Sequence, residues 1–287
     1  MVGLNMRAIS LVVFGSKYME HVFSVPIWQS SMFIGIGVML LSGVGCFLGG
    51  VVVSHFKMER RGCLLFATGA MVLSTVSEGI NMTMGCPNTR IAGLNLQLNG
   101  TLNTTACQCD GTDFLPVCGN DVTFFSPCHA GCQNSTGISY GGCAGVEGGA
   151  VVLGMCDSGC FKLYPFMALT VVYAVVGSFS IVPSYLVLIR SVSERDRTMA
   201  ASIYGLAISL LAYIPGPVLY GKIVDTTCIV WRNLCGKRGA CALYDIVEWR
   251  MKMAGTNVGL LVVSTLFAVL AYCVLTYKGR PAVAKSV

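Results

Sequence analysis

Charge is what this 287-residue chain has least of: Asp, Glu, Lys and Arg make up 11% of it, against 54% hydrophobic residues. A soluble domain carries about a quarter charged residues. A mean hydropathy of +0.71 therefore excludes a water-soluble globular protein. Histidine is scarcer still, and His21, His55 and His129 are too scattered to form a metal cluster. There is no Walker-type loop, no His-Glu-x-x-His pair and no Gly-x-Ser-x-Gly elbow. The chain reads as a non-enzyme that needs neither cofactor nor metal. Its formal charge of +6 does not point to nucleic acid. Nearly half of the basic residues cluster beside apolar runs, as the positive-inside rule expects of a multi-span membrane protein in a lipid bilayer.

Cysteine, by contrast, is abundant. Six of the fifteen fall between Cys107 and Cys143, a density typical of segments stapled by disulfides because they have almost no core. Four acceptor triplets for N-linked sugar, at Asn81, Asn99, Asn103 and Asn134, lie in or beside the same segment and nowhere else. Together they place it in an oxidising lumenal or extracellular compartment. Cys107-x-Cys109 with Cys128-x3-Cys132 could also be arranged around zinc, but that compartment removes free thiolate.

With that segment outside, the apolar runs fall into order. Residues 2–25 carry Arg7, Lys17 and Glu20, so they read as the latter end of a span rather than a signal peptide. Gln29 to Ser54 holds no charge and ends at Lys57, Arg60 and Arg61 in an inner turn; Gly45 and Gly49, four apart, would let another backbone come close. Cys63 to about Gly85 returns, interrupted only by Glu78, which is read either as lining a water path or as solvated in the headgroup zone. Leu163–Ile189 is charge-free and is expected to kink at Pro183. Thr198–Gly221 contains Pro215-Gly216-Pro217, a broken backbone tolerated at depth only where protein or water satisfies it. A second outer loop holds Cys228, Cys235 and Cys241, and a last span runs from about Glu248 to Tyr277. The divisions are 1–85, 86–161, 162–224, 225–247, 248–277 and a cytoplasmic tail at 278–287.

Some residues carry a family resemblance. Pro116-Val117-Cys118-Gly119-x-Asp121 with Thr123-Phe124-x-Ser126-Pro127-Cys128-x-Ala130-Gly131-Cys132 looks like a Kazal-type module, at 107–143. Its insertion between membrane helices resembles the organic anion transporting polypeptide family. Lys17-Tyr18-Met19-Glu20, Phe47-Leu48-Gly49-Gly50, Gly216-Pro217 with Gly221, and Asp225-Thr226-Thr227-Cys228 with Trp231 resemble stretches of that family's second half. The implied fold is an all-α membrane protein, the C-terminal half of a major-facilitator-type bundle. It would comprise the end of the seventh span and the complete eighth to twelfth, with a small disulfide-rich Kazal-like extracellular insertion. The chain is then expected to be a fragment or truncated form whose partner is the missing N-terminal half.

The resemblance implies sodium-independent transport of large amphipathic organic anions, such as steroid conjugates, bile-salt-like compounds, prostanoids and thyroid hormones, by alternating access in the plasma membrane. Arg7 lies ten residues before Lys17, about 15 Å deeper at 1.5 Å per residue, where a cation could meet an anion. Ser209 stands where the family often carries an arginine. Tyr204, Tyr213 and Tyr185 could add contacts, although helix aromatics more often pack. Alignment with the six Kazal positions implies Cys107–Cys132, Cys109–Cys128 and Cys118–Cys143. Cys86, Cys156, Cys160, Cys228, Cys235 and Cys241 are also expected to be oxidised. Each outer loop is then left with an odd number, so at least one bond should join them. Two other classes remain open: a membrane-tethered Kazal-type protease inhibitor, whose Asp110–Val117 loop lacks a basic or large apolar anchor in Asp110, Gly111, Thr112 and Asp113, and a structural partner subunit.

Overall fold

The computed structural model describes residues 1–94, 109, 113–135, 137, 139–156, 160–234 and 237–278, and these fall into two compact units. The first, helical unit comprises 1–85, 162–224 and the residues from Glu248 onward. α1 (Val2–Phe23) stops where Ser24 turns left-handed at φ 54° and its N–H donates to Met19 O; Pro26 then prevents the helix from resuming. α2 (Ile27–Met32), a π-helical segment (Phe33–Leu40) and α3 (Leu41–His55) form one long rod. α4 (Arg60–Asn81) follows, then α5 (Leu163–Ser178) and α6 (Ile181–Arg190). α7 (Arg197–Ile208) runs through a π-helical segment (Ser209–Tyr213) into α8 (Pro215–Asp225), and α9 (Ile246–Lys278) is the longest helix. Among the described residues, five stretches are long and apolar enough to cross a membrane: Ile27–His55, Arg60–Asn81, Leu163–Arg190, Glu194–Asp225 and Ile246–Tyr277.

Where these rods break, the sequence supplies the cause. Pro183 occupies the first turn of α6, where its missing N–H costs least, and the ladder opens just before it at Phe179 and Ser180. Pro215 and Pro217 also lack an N–H, and Ile214 N–H reaches back five residues to Ser209 O, which makes the preceding turn π-helical. The glycine pair does what its spacing implied. A Cβ at Gly45 would lie 2.7 Å from Val175 O, and one at Gly49 would lie 3.0 Å from Phe179 O, so α3 lies against the backbone of α5. At the turn between α3 and α4, Arg190 donates to Met58 O at 2.7 Å and closes α6 onto it.

The second unit, Cys86–Phe161 with Asp225–Val247, is β-structure without much core. Its six short strands are β1 (Ile91–Ala92), β2 (Val117–Gly119), β3 (Val122–Phe124), β4 (Asn134–Ser135), β5 (Ser139–Gly141) and β6 (Ala150–Leu153). They lie in the order β1-β3-β2-β6-β5-β4, with only β1–β3 parallel. Asn120 and Asp121, both at positive φ, make the tight β2–β3 turn, a conformation these residue types tolerate. Val117, Phe124, Ala130 and Val151 are buried beneath the sheet. A hairpin of β7 (Cys228–Leu234) and β8 (Lys237–Tyr244) belongs to the same unit; its Leu243 packs with Ile91 and Phe114. Asn88 donates to Asp245 Oδ1 at 2.9 Å and accepts from Ile246 N–H at 2.9 Å, capping the start of α9.

Five disulfides are described: Cys86–Cys160, Cys109–Cys128, Cys118–Cys156, Cys132–Cys143 and Cys228–Cys241. Two expected Kazal pairs are corrected. Cys118 does not meet Cys143, because β2 pairs with β6 and Cys156 N–H bonds Thr123 Oγ1, which carries Cys156 alongside Cys118. Cys132 does not meet Cys107, because the segment around residues 130–133 hydrogen-bonds to Gly141, Ala144 and Gly145, which places Cys143 beside it. Cys107 and Cys235 lie outside the described residues, as do Asn99 and Asn103. Asn134 is exposed on the edge strand β4. Asn81 is not available for a glycan: it is buried, and its amide donates to Thr170 Oγ1 at 3.4 Å.

Candidate functional site

A polar cluster runs through the middle of the helical unit. Arg7 of α1 is 7% exposed; its Nη1 donates to Ser74 Oγ of α4 at 3.0 Å, and its guanidinium lies 4.3 Å from the ring centroid of Tyr173 on α5. The fit requires Gly177, where a Cβ would stand 2.9 Å from Arg7 Nη2 and 3.1 Å from Ser74 Oγ. One turn beyond Ser74, Glu78 is 5% exposed and accepts a hydrogen bond from Asn257 Nδ2 of α9 at 3.0 Å. Asn257 Nδ2 also approaches Ser10 Oγ at 3.4 Å, while its Oδ1 accepts from the Tyr220 hydroxyl of α8 at 2.6 Å. One amide thus joins α1, α4, α8 and α9. No ion pair forms between Arg7 and Glu78. Each charge is held by neutral dipoles and, for Arg7, by an aromatic face.

Two cavities flank the first two turns of α1. Arg7 lines one of about 200 Å³, with Leu11, Val38, Gly177 and Ile181. The other, about 390 Å³, is lined by Asn5, Ile181, Tyr204, Ile208, Ser209 and Tyr213, and Leu4 and Ala8 border both. The structure thus brings Tyr204, Ser209 and Tyr213 into one chamber and puts Arg7 in the adjoining one. The Tyr213 hydroxyl donates to Asn5 Oδ1 at 3.1 Å. Tyr185 stands outside, its ring 5.8 Å from that of Tyr204. Ser209 opens the π-helical segment, a local widening that often accompanies functional sites.

Glu78 is not solvated on the surface: it is buried inside the bundle. Sequence reading missed Ser10, Ser74, Tyr220 and Asn257. Asn257 was recoverable as the lone amide in the apolar part of the last span, and Ser74 and Glu78 share one helix face by their spacing. Among the described residues, no group of three or more His, Cys, Asp or Glu is arranged to hold a metal ion.

Comparison with known proteins agrees with this architecture. The chain is 29% identical over 290 residues to solute carrier organic anion transporter family member 2B1 of Rattus norvegicus, covering 94% of this chain and 42% of that protein. It is 30% identical over 293 residues to family member 1C1 of Homo sapiens, with 92% and 41% covered. It is 28% identical over 274 residues to family member 74D of Drosophila melanogaster, with 89% and 33% covered. The chain therefore spans well under half the length of these relatives. Residues 4–248 match the profile of the Organic Anion Transporter Polypeptide (OATP) family, and the chain, a multi-pass membrane protein, belongs to that family.

Proposed function

We propose that the chain is the C-terminal half of a sodium-independent transporter of large amphipathic organic anions, of the steroid-conjugate, bile-salt, prostanoid and thyroid-hormone type. It works by alternating access with an N-terminal half. The observation that carries this reading is the chamber of about 390 Å³ beside α1. Its volume lies in the range of about 300–1,000 Å³ that takes drug-sized ligands. Its walls are apolar, with Leu4, Ile181 and Ile208, and its few polar groups are the amide of Asn5 and the hydroxyls of Tyr204, Ser209 and Tyr213. That combination suits a flat apolar body carrying one acidic head. Arg7, one helix face away and shielded from water, adds positive potential without a direct contact. The α4–α5 segment faces outward at the plasma membrane and the C-terminus is cytoplasmic.

The test is uptake of a labelled steroid sulfate into vesicles holding the longer transporter, with Tyr204→Ala, Ser209→Ala and Arg7→Gln compared at equal surface expression. Arg7→Gln should weaken uptake of sulfated and carboxylated substrates. Tyr204→Ala should raise KM about tenfold, the effect of about 1.4 kcal/mol of lost contact. Unchanged uptake in all three would remove the chamber from the pathway, and normal assembly without uptake would favour a structural partner subunit. The protease-inhibitor reading loses ground because Cys118–Cys156 and Cys132–Cys143 depart from the inhibitor framework.

A further inference from the structure

Close to the polar cluster is a third cavity, of about 60 Å³, which the tyrosine chamber does not use; Ser10, Tyr18, Glu78, Asn81, Arg250 and Asn257 line it. Three of these residues bring a buried oxygen that has no hydrogen-bond partner among the described residues: Glu78 Oε2, Asn81 Oδ1 and the Tyr18 hydroxyl. They come from α1 and α4, and each side chain is more than nine-tenths buried. Orphaned oxygens at such depth are costly, at about 1–3 kcal/mol each, and more for a carboxylate. Three of them around one small void mark a built site.

The space is large enough for water, which needs only about 10–15 Å³ of such a cavity. A water brings the matching chemistry, two donors for Glu78 Oε2 and Asn81 Oδ1 and lone pairs for the Tyr18 O–H. A metal cation is a poor occupant, because Arg7 and Arg250 already outnumber the one carboxylate. The geometry points to a proton-binding site in which Glu78 takes up a proton that reaches it as hydronium through this cavity and gives it back to the same water. The step is balanced: carboxylate and hydronium become carboxylic acid and water, and nothing is oxidised or reduced.

The charged and titratable groups facing Glu78 are Arg7 and Tyr18 on α1, Tyr173 on α5, Tyr220 on α8 and Arg250 on α9. α6 also packs on α4, but its Arg190 is held at Met58, just before the start of α4, which is about 27 Å from Glu78 at 1.5 Å per residue. Glu78 forms no ion pair with any of them, so its carboxyl is held only by Asn257 and the cavity. Protonation removes the negative charge facing Arg7, raising the positive charge of the cluster by one. An anion in the neighbouring chamber then meets a stronger attraction. That last link rests on the proposed function, whereas the proton site does not.

Infrared difference spectra of the reconstituted 287-residue chain, taken between acidic and alkaline buffer, test it without any substrate. A carbonyl stretch of a buried protonated carboxyl, shifting in deuterium oxide, should appear on acidification and be lost in Glu78→Gln. Tyr18→Phe should keep the band and move its pH midpoint. A difference spectrum unaltered by Glu78→Gln overturns the site; should that variant lose its helical circular dichroism, an unmoved midpoint in Tyr18→Phe does so. A band present in a chain whose longer form transports no anion counts against the transport reading alone.

Discussion

Replacing Asn257 with Leu should loosen the helical unit more than any other single exchange of similar volume. The amide makes three hydrogen bonds, to Glu78 Oε1, Tyr220 OH and Ser10 Oγ. Hydrogen bonds between membrane helices average about 0.6 kcal/mol each, so their bare loss is about 2 kcal/mol. Leu also strands the Tyr220 hydroxyl and Glu78 Oε1, and each unsatisfied group adds about 1–3 kcal/mol. The expected total is about 4–8 kcal/mol. Unfolding of the purified chain in mixed micelles with rising sodium dodecyl sulfate, followed by the fluorescence of the fully buried Trp249, reads it directly. A double-mutant cycle sharpens the point. With Glu78→Leu already in place, Asn257→Leu should cost about 1–2 kcal/mol less, because no carboxyl is left to strand. A loss below about 0.5 kcal/mol in the single variant would refute the network.

Gly45→Leu should destabilise the unit by about 1–3 kcal/mol by pushing α3 off the α5 backbone, whereas Gly43→Leu, where a Cβ meets nothing, should be neutral in the same unfolding assay. Non-reducing peptide mapping should recover Cys118 joined to Cys156 and Cys132 joined to Cys143; a Cys118–Cys143 fragment would restore the inhibitor framework. The count of outer cysteines leaves Cys107 and Cys235, both outside the described residues, as the expected ends of a bond between the two loops, and two free thiols there would sink that expectation. Asn134→Gln should remove one glycosidase-sensitive shift from the expressed protein, and Asn81→Gln none.

How far the fold was legible depends on the kind of physics involved. Continuous apolar runs announce helices of membrane length, since backbone polar groups in lipid must be satisfied within the segment, and Pro183, Pro215 and Pro217 mark the breaks because a missing N–H is local. The Gly45–Gly49 pair was readable for the same reason. Cysteine partners were not, because they depend on which strand lies beside which: β2 chose β6, and Cys118 went with it. Arg7 and Glu78 announced themselves as charges at depth. Their hosts did not, since Ser74, Ser10 and Tyr220 are ordinary residues until four helices converge on Asn257. The clustering of Tyr204, Ser209 and Tyr213 was not visible, since spacings of five and nine residues from Tyr204 are about 1.4 and 2.5 turns of a regular α-helix, and the chamber also needs α1 and α6, which no local pattern supplies.

The bond between Cys86 and Cys160 has a consequence for evolution and engineering. It joins positions 74 apart, five residues after α4 ends and three before α5 begins. Closing a loop of that length removes about 4.4 kcal/mol of chain entropy from the unfolded state in the entropic account. The stretch between the two sulfurs is thus a cassette with a fixed port, whose parts away from Asn88, Ile91 and Phe114, the residues that bind α9 and β8, can be lengthened or recoded while the chain leaves one helix and enters the next through the same doorway. Grafting a foreign epitope or a tag between those two cysteines is a substitution of cargo rather than a redesign of the membrane portion.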